Sequence, residues 1–226
     1  MGAMSAVNAL PPPSLTVENL AVSRGGRMLF SSLSFFMHSG MAVALRGPNG
    51  AGKTSLLLAL AGALRPQSGA IAYRDRGADE DHAPHIHLLL TQNAVKPRLS
   101  VGENLAFWRA VNGATGLAVP DALARLGLGG LERIEAGHLS TGQQRRLALA
   151  RLLVTRRNLW LLDEPTAALD RDGEALCAAL IADHVGTGGM AIVATHHDLD
   201  LPYHGIGPRS IYVRAGAAVV NDGALP

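Results

Sequence analysis

The chain has 226 residues, of which 48% are hydrophobic and 17% are charged, and its formal net charge is +2. These values exclude an intrinsically disordered chain and are typical of a protein that buries one sizeable core. The weak charge gives no indication of nucleic-acid binding. The densest basic stretch has five arginines at helical spacing, and we interpret it as a solvated helix face: Arg145, Arg146, Arg151, Arg156 and Arg157.

Neither a membrane span nor a disulfide is predicted. The longest apolar run, 56–64, is too short to cross a bilayer, and the N-terminus lacks the pattern of a signal peptide. The one cysteine, Cys177, cannot form an intramolecular disulfide, and its helical surroundings predict that it fills the core. If the protein acts on a membrane, we expect it to act from the cytoplasm and through a partner.

The predicted elements alternate between strand and helix along the chain. Residues 1–14, with three consecutive prolines, form an extended or cloning-derived lead-in, and residues 15–226 form a single domain. Strands are predicted at 15–22, 33–37, 41–45, 85–90, 159–162 and 190–194. Helices are predicted at 55–64, ended by Pro66 and Gly69, and at 142–155 and 171–184. Residues 99–139 carry an interrupted helical pattern, which predicts a small helical lobe at about 95–140.

This order of elements predicts an α/β fold. Strands that alternate with helices form a mostly parallel sheet with helices on both faces. The wholly apolar strands 41–45 and 190–194 agree with burial on both faces. The strand and turn at 15–27, continued by the strand 33–37, predict an antiparallel part at the N-terminus.

A glycine-rich loop follows the strand 41–45 and leads directly into an apolar helix. It matches the phosphate-binding loop pattern at every fixed position, and its residues are Gly47, Pro48, Asn49, Gly50, Ala51, Gly52, Lys53 and Thr54. Glycines let backbone N–H groups curl around phosphates, and the following helix directs its positive end at them. Lys53 is expected to neutralise the β- and γ-phosphates, and the Thr54 hydroxyl to ligate Mg²⁺. With the adjacent Ser55, these residues predict a nucleotide-binding loop.

Two adjacent carboxylates follow the buried strand 159–162. Asp163 comes at the carboxyl end of the strand, beside the phosphate-binding loop, where it is placed to hold Mg²⁺. Glu164 is expected to point the other way along the pleat and to polarise the attacking water. Two acids in this position are costly to bury unless a cation or a substrate uses them.

The segment that begins at Ser140 carries a family resemblance. Ser140 is a good N-cap, and the spacing Ser-x-x-Gln to Gln143 is a capping box for the helix predicted to begin at Gly142. The segment continues through Arg151 to the acidic pair. Together with the phosphate-binding loop, it closely resembles the ATPases of the ABC transporter family, and the resemblance covers about 15–213.

The resemblance implies roles for several residues. The capped helix end at 140–143 presents hydroxyl and N–H groups to the γ-phosphate held by the opposite subunit of a homodimer, and Thr141 replaces the usual second glycine there. Gln92 resembles the glutamine that joins the Mg²⁺ and water site to the membrane-facing lobe. Asp170 lies in a loop similar to the one that crosses the dimer interface, and His196 resembles the histidine that contacts the γ-phosphate.

Two positions leave alternatives open. His197 competes with His196 for the contact with the γ-phosphate, although His196 has the sequence position that the family pattern requires. Arg24 stands where the family usually stacks an aromatic ring on adenine. A guanidinium also stacks on a base, so Arg24 is a candidate base-binding residue, and the preference for ATP over GTP stays open.

Three histidines suggest a separate metal or haem site: His82, His85 and His87. His85 and His87 would share one face of a strand. No cysteine or further carboxylate motif completes a set of metal ligands. We therefore interpret the three side chains as parts of a polar loop and a strand edge.

Within the family, the sequence most resembles the ATP-binding subunits of bacterial haem exporters for cytochrome c maturation. The similar features are the segment 92–108, the run 139–160, the short extension after the histidine region and the missing adenine-stacking tyrosine. The resemblance implies an ATP hydrolase that uses ATP and Mg²⁺ and works as a homodimer with integral membrane subunits. It places the chain at the cytoplasmic face of the bacterial inner membrane, and no nucleic acid is an expected partner. A transporter ATPase for another cargo is the alternative.

Two alternatives come from other functional classes. ATPases of DNA repair and chromosome organisation insert long coiled coils between the phosphate-binding loop and the capped helix. Lys53 and Ser140 are too close for that, and no sustained heptads lie between them. A regulatory ATP-binding module without turnover has usually lost the second acid or the histidine, whereas Glu164 and His196 are both present.

Overall fold

The computed structural model describes residues 12–74, 86–196, 201, 209–214 and 216–221. Within them, the strands are Ser14–Arg24 (β1), Arg27–His38 (β2), Ala42–Arg46 (β3), Ser68–Arg74 (β4), Ile86–Leu89 (β5), Leu159–Asp163 (β6), Met190–Ala194 (β7), Ser210–Arg214 (β8) and Gly216–Asn221 (β9). The helices are Lys53–Leu60 (α1), Val101–Asn112 (α2), Val119–Arg125 (α3), Thr141–Val154 (α4) and Arg171–Gly186 (α5), with a 3-10 helix at Ala136–His138. No helix in these ranges is long and apolar enough to cross a membrane.

The sheet has a parallel centre and an antiparallel N-terminal part. Its strand order is β4-β1-β2-β9-β8-β3-β7-β6-β5. The strands from β8 to β5 in this order pair in parallel. β1 pairs in antiparallel with β2 and β4, and β8 does so with β9. The prediction of an α/β fold with a mostly parallel sheet and an N-terminal antiparallel part is confirmed.

The central strands are covered on both faces. In β6, Leu161 packs in the layer that contains α1 and the antiparallel strands, whereas Leu162 packs with helices α2 to α5. Burying each such side chain stabilises the fold by roughly 2 kcal/mol. Cys177 of α5 is fully buried in the second layer, as predicted, and burial raises the pKa of its thiol to about 12.

Most predicted elements are observed, but one helix is shorter than expected. α1 ends at Leu60, because Gly62 takes a left-handed backbone conformation (φ 73°) that stops the helix before Pro66 is reached. Gly69, predicted to end that helix, instead lies in β4. Three strands were not predicted: β4, β8 and β9.

The interpretation of the basic stretch as a solvated face is wrong, because only Arg156 of its five arginines is exposed. Arg145 is 1% exposed, and Arg151 is partly buried. The Arg151 guanidinium donates to the backbone oxygens of Leu88 and Asn93 and lies 4.1 Å from the ring centre of Trp108. Burial lowers its pKa to about 10. Arg145 and Arg151 turn inward and donate to backbone oxygens in β5 and at or beyond the ends of β5 and β6, and carbonyl groups that are shielded from water need such donors.

Two histidines, His87 in the core and the partly buried His184, are expected to make the fold sensitive to acid. His87 of β5 bonds the backbone oxygen of Thr155 at 2.8 Å, and His184 of α5 stacks on Trp160 with ring centres 3.9 Å apart. Burial lowers the pKa of each imidazole from 6.5 to about 4. The unfolded chain binds protons near pH 6.5 that the folded chain does not bind. The stabilisation is therefore complete above pH 6.5 and is lost as the pH falls toward 4.

Each of these histidines should reduce the free energy of unfolding by about 2 kcal/mol between about pH 7 and about pH 5. Urea unfolding at the two pH values measures the change. The His184→Phe variant keeps a ring against Trp160 but cannot titrate, so its pH dependence should be smaller. An unchanged pH dependence in this variant would contradict the role of His184.

Candidate functional site

The carboxyl ends of four parallel strands meet at one edge of the sheet. β3 leads into the phosphate-binding loop, β5 into Thr91, β6 into Glu164 and β7 into His196. A cavity of about 390 Å³ lies there, as expected for the carboxyl ends of parallel strands. It is lined by many of the residues predicted from the sequence: Arg24, Pro48, Asn49, Gly50, Gly52, Lys53, Thr54, Ser55, Asp163, Glu164 and His196.

The ammonium group of Lys53 is held inside the loop that precedes it. Lys53 is 7% exposed, and its Nζ donates to the backbone oxygens of Gly47 at 2.7 Å and Pro48 at 3.3 Å. The Nε2 atom of His196 lies 3.2 Å from this Nζ and 2.7 Å from Asn49 Oδ1. Because a neutral ring nitrogen either donates or accepts, it bonds only one of the two at a time. The predicted phosphate-binding side chains therefore surround one cation.

Gly47 has a backbone conformation that only glycine adopts without strain. Its φ is 141°, and an added Cβ would lie 2.0 Å from the backbone oxygen of Val213 in β8. We expect Gly47→Ala to lower the free energy of unfolding by about 3 kcal/mol or more. Gly50→Ala is the control, because a Cβ there meets no atom within 4 Å although φ is also positive, and it should cost about 1 kcal/mol. Urea unfolding measures both changes, and equal losses of unfolding free energy in Gly47→Ala and Gly50→Ala would contradict this explanation.

Thr54 and Asp163 form the contact expected of an Mg²⁺ site. Thr54 Oγ1 donates to Asp163 Oδ2 at 2.7 Å, and Thr91 Oγ1 approaches the same oxygen at 3.5 Å. A hydroxyl beside a carboxylate is the type of oxygen ligand set that Mg²⁺ prefers, so these residues fit the ion. Thr91 was not predicted. Gln92 is exposed and is not among the residues that line the cavity, so its role stays a prediction.

Glu164 does not continue the pleat of β6, which corrects the expected orientation. The strand ends at Asp163, and Glu164 takes a left-handed backbone conformation with φ 47°. Its carboxylate approaches His196, with Oε2 3.4 Å from the backbone nitrogen and Oε1 3.4 Å from Nε2. Oε1 is shielded from solvent and accepts no hydrogen bond from a described residue. The turn thus places the Glu164 carboxylate at the wall of the cavity, where a base for water is needed.

The capped helix end lies outside this cavity. Ser140 Oγ accepts from the Gln143 backbone nitrogen at 3.2 Å, and Gln143 Oε1 accepts from the Ser140 backbone nitrogen at 2.9 Å. The predicted capping box is therefore confirmed. Ser140 and Thr141 are exposed, and Gly142 is partly exposed. Their contact with a nucleotide on another chain stays a prediction.

Asp170 is engaged within its own chain. Its carboxylate caps α5 by accepting from the Gly173 backbone nitrogen at 2.9 Å, and it accepts from the Arg146 guanidinium at 2.7 Å. The bond from Gly173, followed by that from Arg146, lowers the pKa of this carboxyl group. The contact with Arg146 joins the predicted interface loop to α4, and the role of the loop between subunits stays a prediction.

Arg145, like Thr91, is a residue near the site that was not predicted from the sequence. Its guanidinium donates at 2.6 to 3.0 Å to five acceptors, which are the backbone oxygens of Leu90, Asp163, Glu164 and Pro165 and the side-chain oxygen of Asn93. Burial is the main cause that lowers its pKa, and Cys177, Asp163 and Glu164 oppose that shift. Helical spacing could have found it, because residues 148, 149 and 152 on the same helix face are all apolar.

The remaining predicted residues are placed as follows. Arg24 is exposed at the end of β1 and lines the cavity, so its contact with a base stays a prediction. His87 is 6% exposed and is a core residue of the edge strand β5 rather than a polar surface residue. His82, His85 and His197 lie outside the described residues.

Residues 30–167 match the family described as ABC transporter. The cytochrome c biogenesis ATP-binding export protein CcmA of Mesorhizobium japonicum is 47% identical over 188 residues, which cover 83% of this chain and 94% of that protein. The proteins of the same name from Agrobacterium fabrum and Brucella abortus are 45% identical over 193 residues and 46% identical over 187 residues. These matches cover 83% of this chain and 91% and 87% of the two proteins.

Solved structures share this fold. A chain described as an ABC transporter ATP-binding protein from Pyrococcus furiosus has a TM-score of 0.72 at 26% identity, covering 83% of this chain and 93% of its own. An ATP-binding cassette of an ABC transporter, in its ADP conformation, has a TM-score of 0.72 at 20% identity, covering 92% and 89%, which supports the fold alone. With the family match over more than half of its length and relatives above 40% identity, the chain belongs to the ABC transporter family, as one of its ATP-hydrolysing subunits.

Proposed function

We propose that the chain hydrolyses ATP for a membrane transporter that exports haem for cytochrome c maturation. One observation supports the assignment of ATP hydrolysis. Lys53, the Thr54–Asp163 contact and Glu164, with its shielded oxygen, all lie around one cavity. The similarity to proteins named cytochrome c biogenesis ATP-binding export proteins supports the cargo assignment.

The residues that line the cavity have different roles in hydrolysis. The loop at 47–54 and the Lys53 ammonium group bind the phosphates of ATP, and the positive end of α1 adds to the attraction. Thr54 and Asp163 would hold Mg²⁺, which neutralises phosphate charge when bound. Glu164 accepts a proton from the attacking water through its carboxylate, and His196, whose Nε2 lies 3.4 Å from that carboxylate, orients the γ-phosphate end of the site.

A second copy of the chain would complete each site. The cavity of one chain is lined by Lys53, Asp163 and Glu164. The capped helix end at 140–143 is not part of this lining, and its residues Ser140 and Thr141 are exposed. Its N-cap hydroxyl and the N–H groups of the first turn suit a phosphate brought by another subunit. In the proposed homodimer two ATP molecules lie between the two chains, and the loop with Asp170 crosses the interface.

Opening of this dimer after hydrolysis would drive the membrane partner. The lobe at about 95–140, next to Gln92, would pass the movement to integral membrane subunits at the cytoplasmic face of the bacterial inner membrane. α2 and α3 in this segment pack against α4, whose N-terminus carries the capped end, so the lobe and the nucleotide contact would move together. We expect no nucleic-acid partner.

Complementation tests the cargo assignment. A bacterium that lacks its own cytochrome c maturation ATPase receives this chain or its Glu164→Gln variant, and covalently bound haem in c-type cytochromes is measured. The parental chain should restore haem-bearing cytochromes, and the variant should not. If the parental chain assembles with the membrane subunits and hydrolyses ATP but restores none, the cargo is a different one. Phosphate release that rises on adding DNA would instead favour an ATPase of DNA repair.

A further inference from the structure

Arg145 is buried behind the acidic pair and is not among the residues that line the cavity. We infer that its guanidinium is a positioning group that holds Glu164 in the turn after β6, so that the carboxylate reaches the cavity. This inference rests on the proposed role of Glu164 as the residue that polarises water.

The backbone of Glu164 needs external support. A residue other than glycine at φ 47° is strained by about 1 kcal/mol or more, and such a conformation persists only where neighbouring groups fix it. Three hydrogen bonds do so here. The Glu164 backbone nitrogen donates to the oxygen of Ala194 at 2.8 Å, and its own oxygen accepts from Arg145 Nη2 at 2.6 Å and from the Ala167 backbone nitrogen, within the turn, at 3.0 Å. The first bond ties the turn to β7, and the second ties it to α4.

The Arg145 guanidinium also bonds the residues directly before and after Glu164, and we call this set of bonds the clamp. The same Nη2 donates to the Asp163 oxygen at 2.9 Å, and Nε donates to the Pro165 oxygen at 3.0 Å. Three consecutive carbonyl groups thus bond one planar group that is 1% exposed. A lysine in its place carries its three donors on one atom, so it cannot reach this set of acceptors together with Leu90 and Asn93.

The predicted effect is selective. None of the five acceptors belongs to the loop at 47–54, and the bonds of Lys53 and Thr54 involve neither Arg145 nor its acceptor groups. Loss of the clamp should therefore lower kcat and leave ATP affinity nearly unchanged, which is the pattern of an interaction that acts in the transition state. A general loss of folding would lower both.

Arg151 provides a matched control. It lies on the same helix and is also partly buried, and it donates to the backbone oxygens of Leu88 and Asn93, but it makes no hydrogen bond to the acidic pair. Its replacement by lysine removes a guanidinium with two hydrogen bonds, at 3.2 and 3.4 Å, and the contact with the Trp108 ring. If hydrogen bonding to Asp163 and Glu164 is what supports turnover, Arg145→Lys should lose turnover and Arg151→Lys should keep it.

The experiment measures kcat, the Kd for a fluorescent ATP analogue and Tm in the full chain. Arg145→Lys should lower kcat about tenfold or more and change Kd less than about threefold, whereas Arg151→Lys should lower Tm and keep kcat within about threefold. Arg145→Gln, which removes the buried charge and its desolvation cost, should show the same division. Asn93→Ala removes one side-chain acceptor only, so its kcat should stay within about threefold of the parental value.

Several results would overturn the inference. These are parental kcat in both Arg145 variants, an equal loss of kcat and ATP affinity, failure of both variants to fold, and a loss in Asn93→Ala as large as that in Arg145→Lys. The Glu164→Gln protein separates this inference from the proposed function. If that protein turns over ATP normally, the role of Glu164 is wrong; if it is inactive while Arg145→Lys is parental, only the role of Arg145 is wrong.

Discussion

The Glu164→Gln protein is expected to bind ATP, to stay dimeric while ATP is bound and to hydrolyse ATP at least about 100-fold more slowly than the parental chain, the scale of one general base. Glutamine keeps the shape of the side chain at the turn after β6 but cannot accept the proton of the attacking water. The Lys53 and Thr54 contacts remain, so nucleotide affinity should be preserved. Phosphate release under saturating ATP and Mg²⁺ measures the change.

Glu135→Gln is the matched control for this substitution. Glu135 is exposed and is not among the residues that line the cavity, so the variant should keep the parental rate. Parental turnover in Glu164→Gln would show that another group polarises water, and the shielded Oε1 atom would then have no catalytic meaning.

Lys53→Met should lose ATP binding as well as turnover. The ammonium group is buried in the loop at 47–54, where it is the cation nearest to the backbone oxygens of Gly47 and Pro48. Methionine fills similar space but donates no hydrogen bond and carries no charge. Charge-assisted bonds of this kind contribute up to about 3 kcal/mol, so affinity should fall about 100-fold.

Equilibrium titration with a fluorescent ATP analogue measures this loss. Lys96→Met is the control, since Lys96 is an exposed lysine whose ammonium group lies over the ring of Phe107 and not in the cavity. It should bind ATP like the parental chain. Equal affinity in Lys53→Met and the parental chain would exclude the loop at 47–54 as the phosphate-binding element.

The phosphate-binding loop could be predicted because its requirements are local. The glycines, Lys53 and Thr54 are contiguous, and the strand before them and the helix after them are both apolar. The capping box at Ser140 and Gln143 was likewise predicted from a three-residue spacing, and it is observed in the structure. Local spacing also placed Asp163 at the end of a buried strand.

The orientation of Glu164 and the acceptors of Arg145 could not be predicted in this way, although helical spacing does place Arg145 on an apolar face. A strand pattern extends naturally by one residue, whereas the left-handed turn at Glu164 depends on bonds from β7 and α4, which are distant in sequence. Arg145 is buried because five acceptors converge on it from two other segments of the chain, 90–93 and 163–165. A basic residue in a helical pattern is otherwise typical of a solvated face.

The strands that were missed have weak local signals. β4 is rich in small residues, and it forms by pairing with β1 along most of its length. β9 pairs with β8 on one side and with β2 on the other, so its place in the sheet depends on a segment about 180 residues earlier. Thr91 was missed for a similar reason. It follows β5, and its place beside Asp163 depends on the parallel pairing of β5 with β6.

Sedimentation of the Glu164→Gln protein with and without ATP tests most directly whether two chains share each nucleotide. The proposal predicts that ATP doubles the mass of the particle and that the specific activity of the parental chain rises with its concentration. A single chain that hydrolyses ATP at the full rate at every dilution, with no change of mass when nucleotide is trapped, would contradict it.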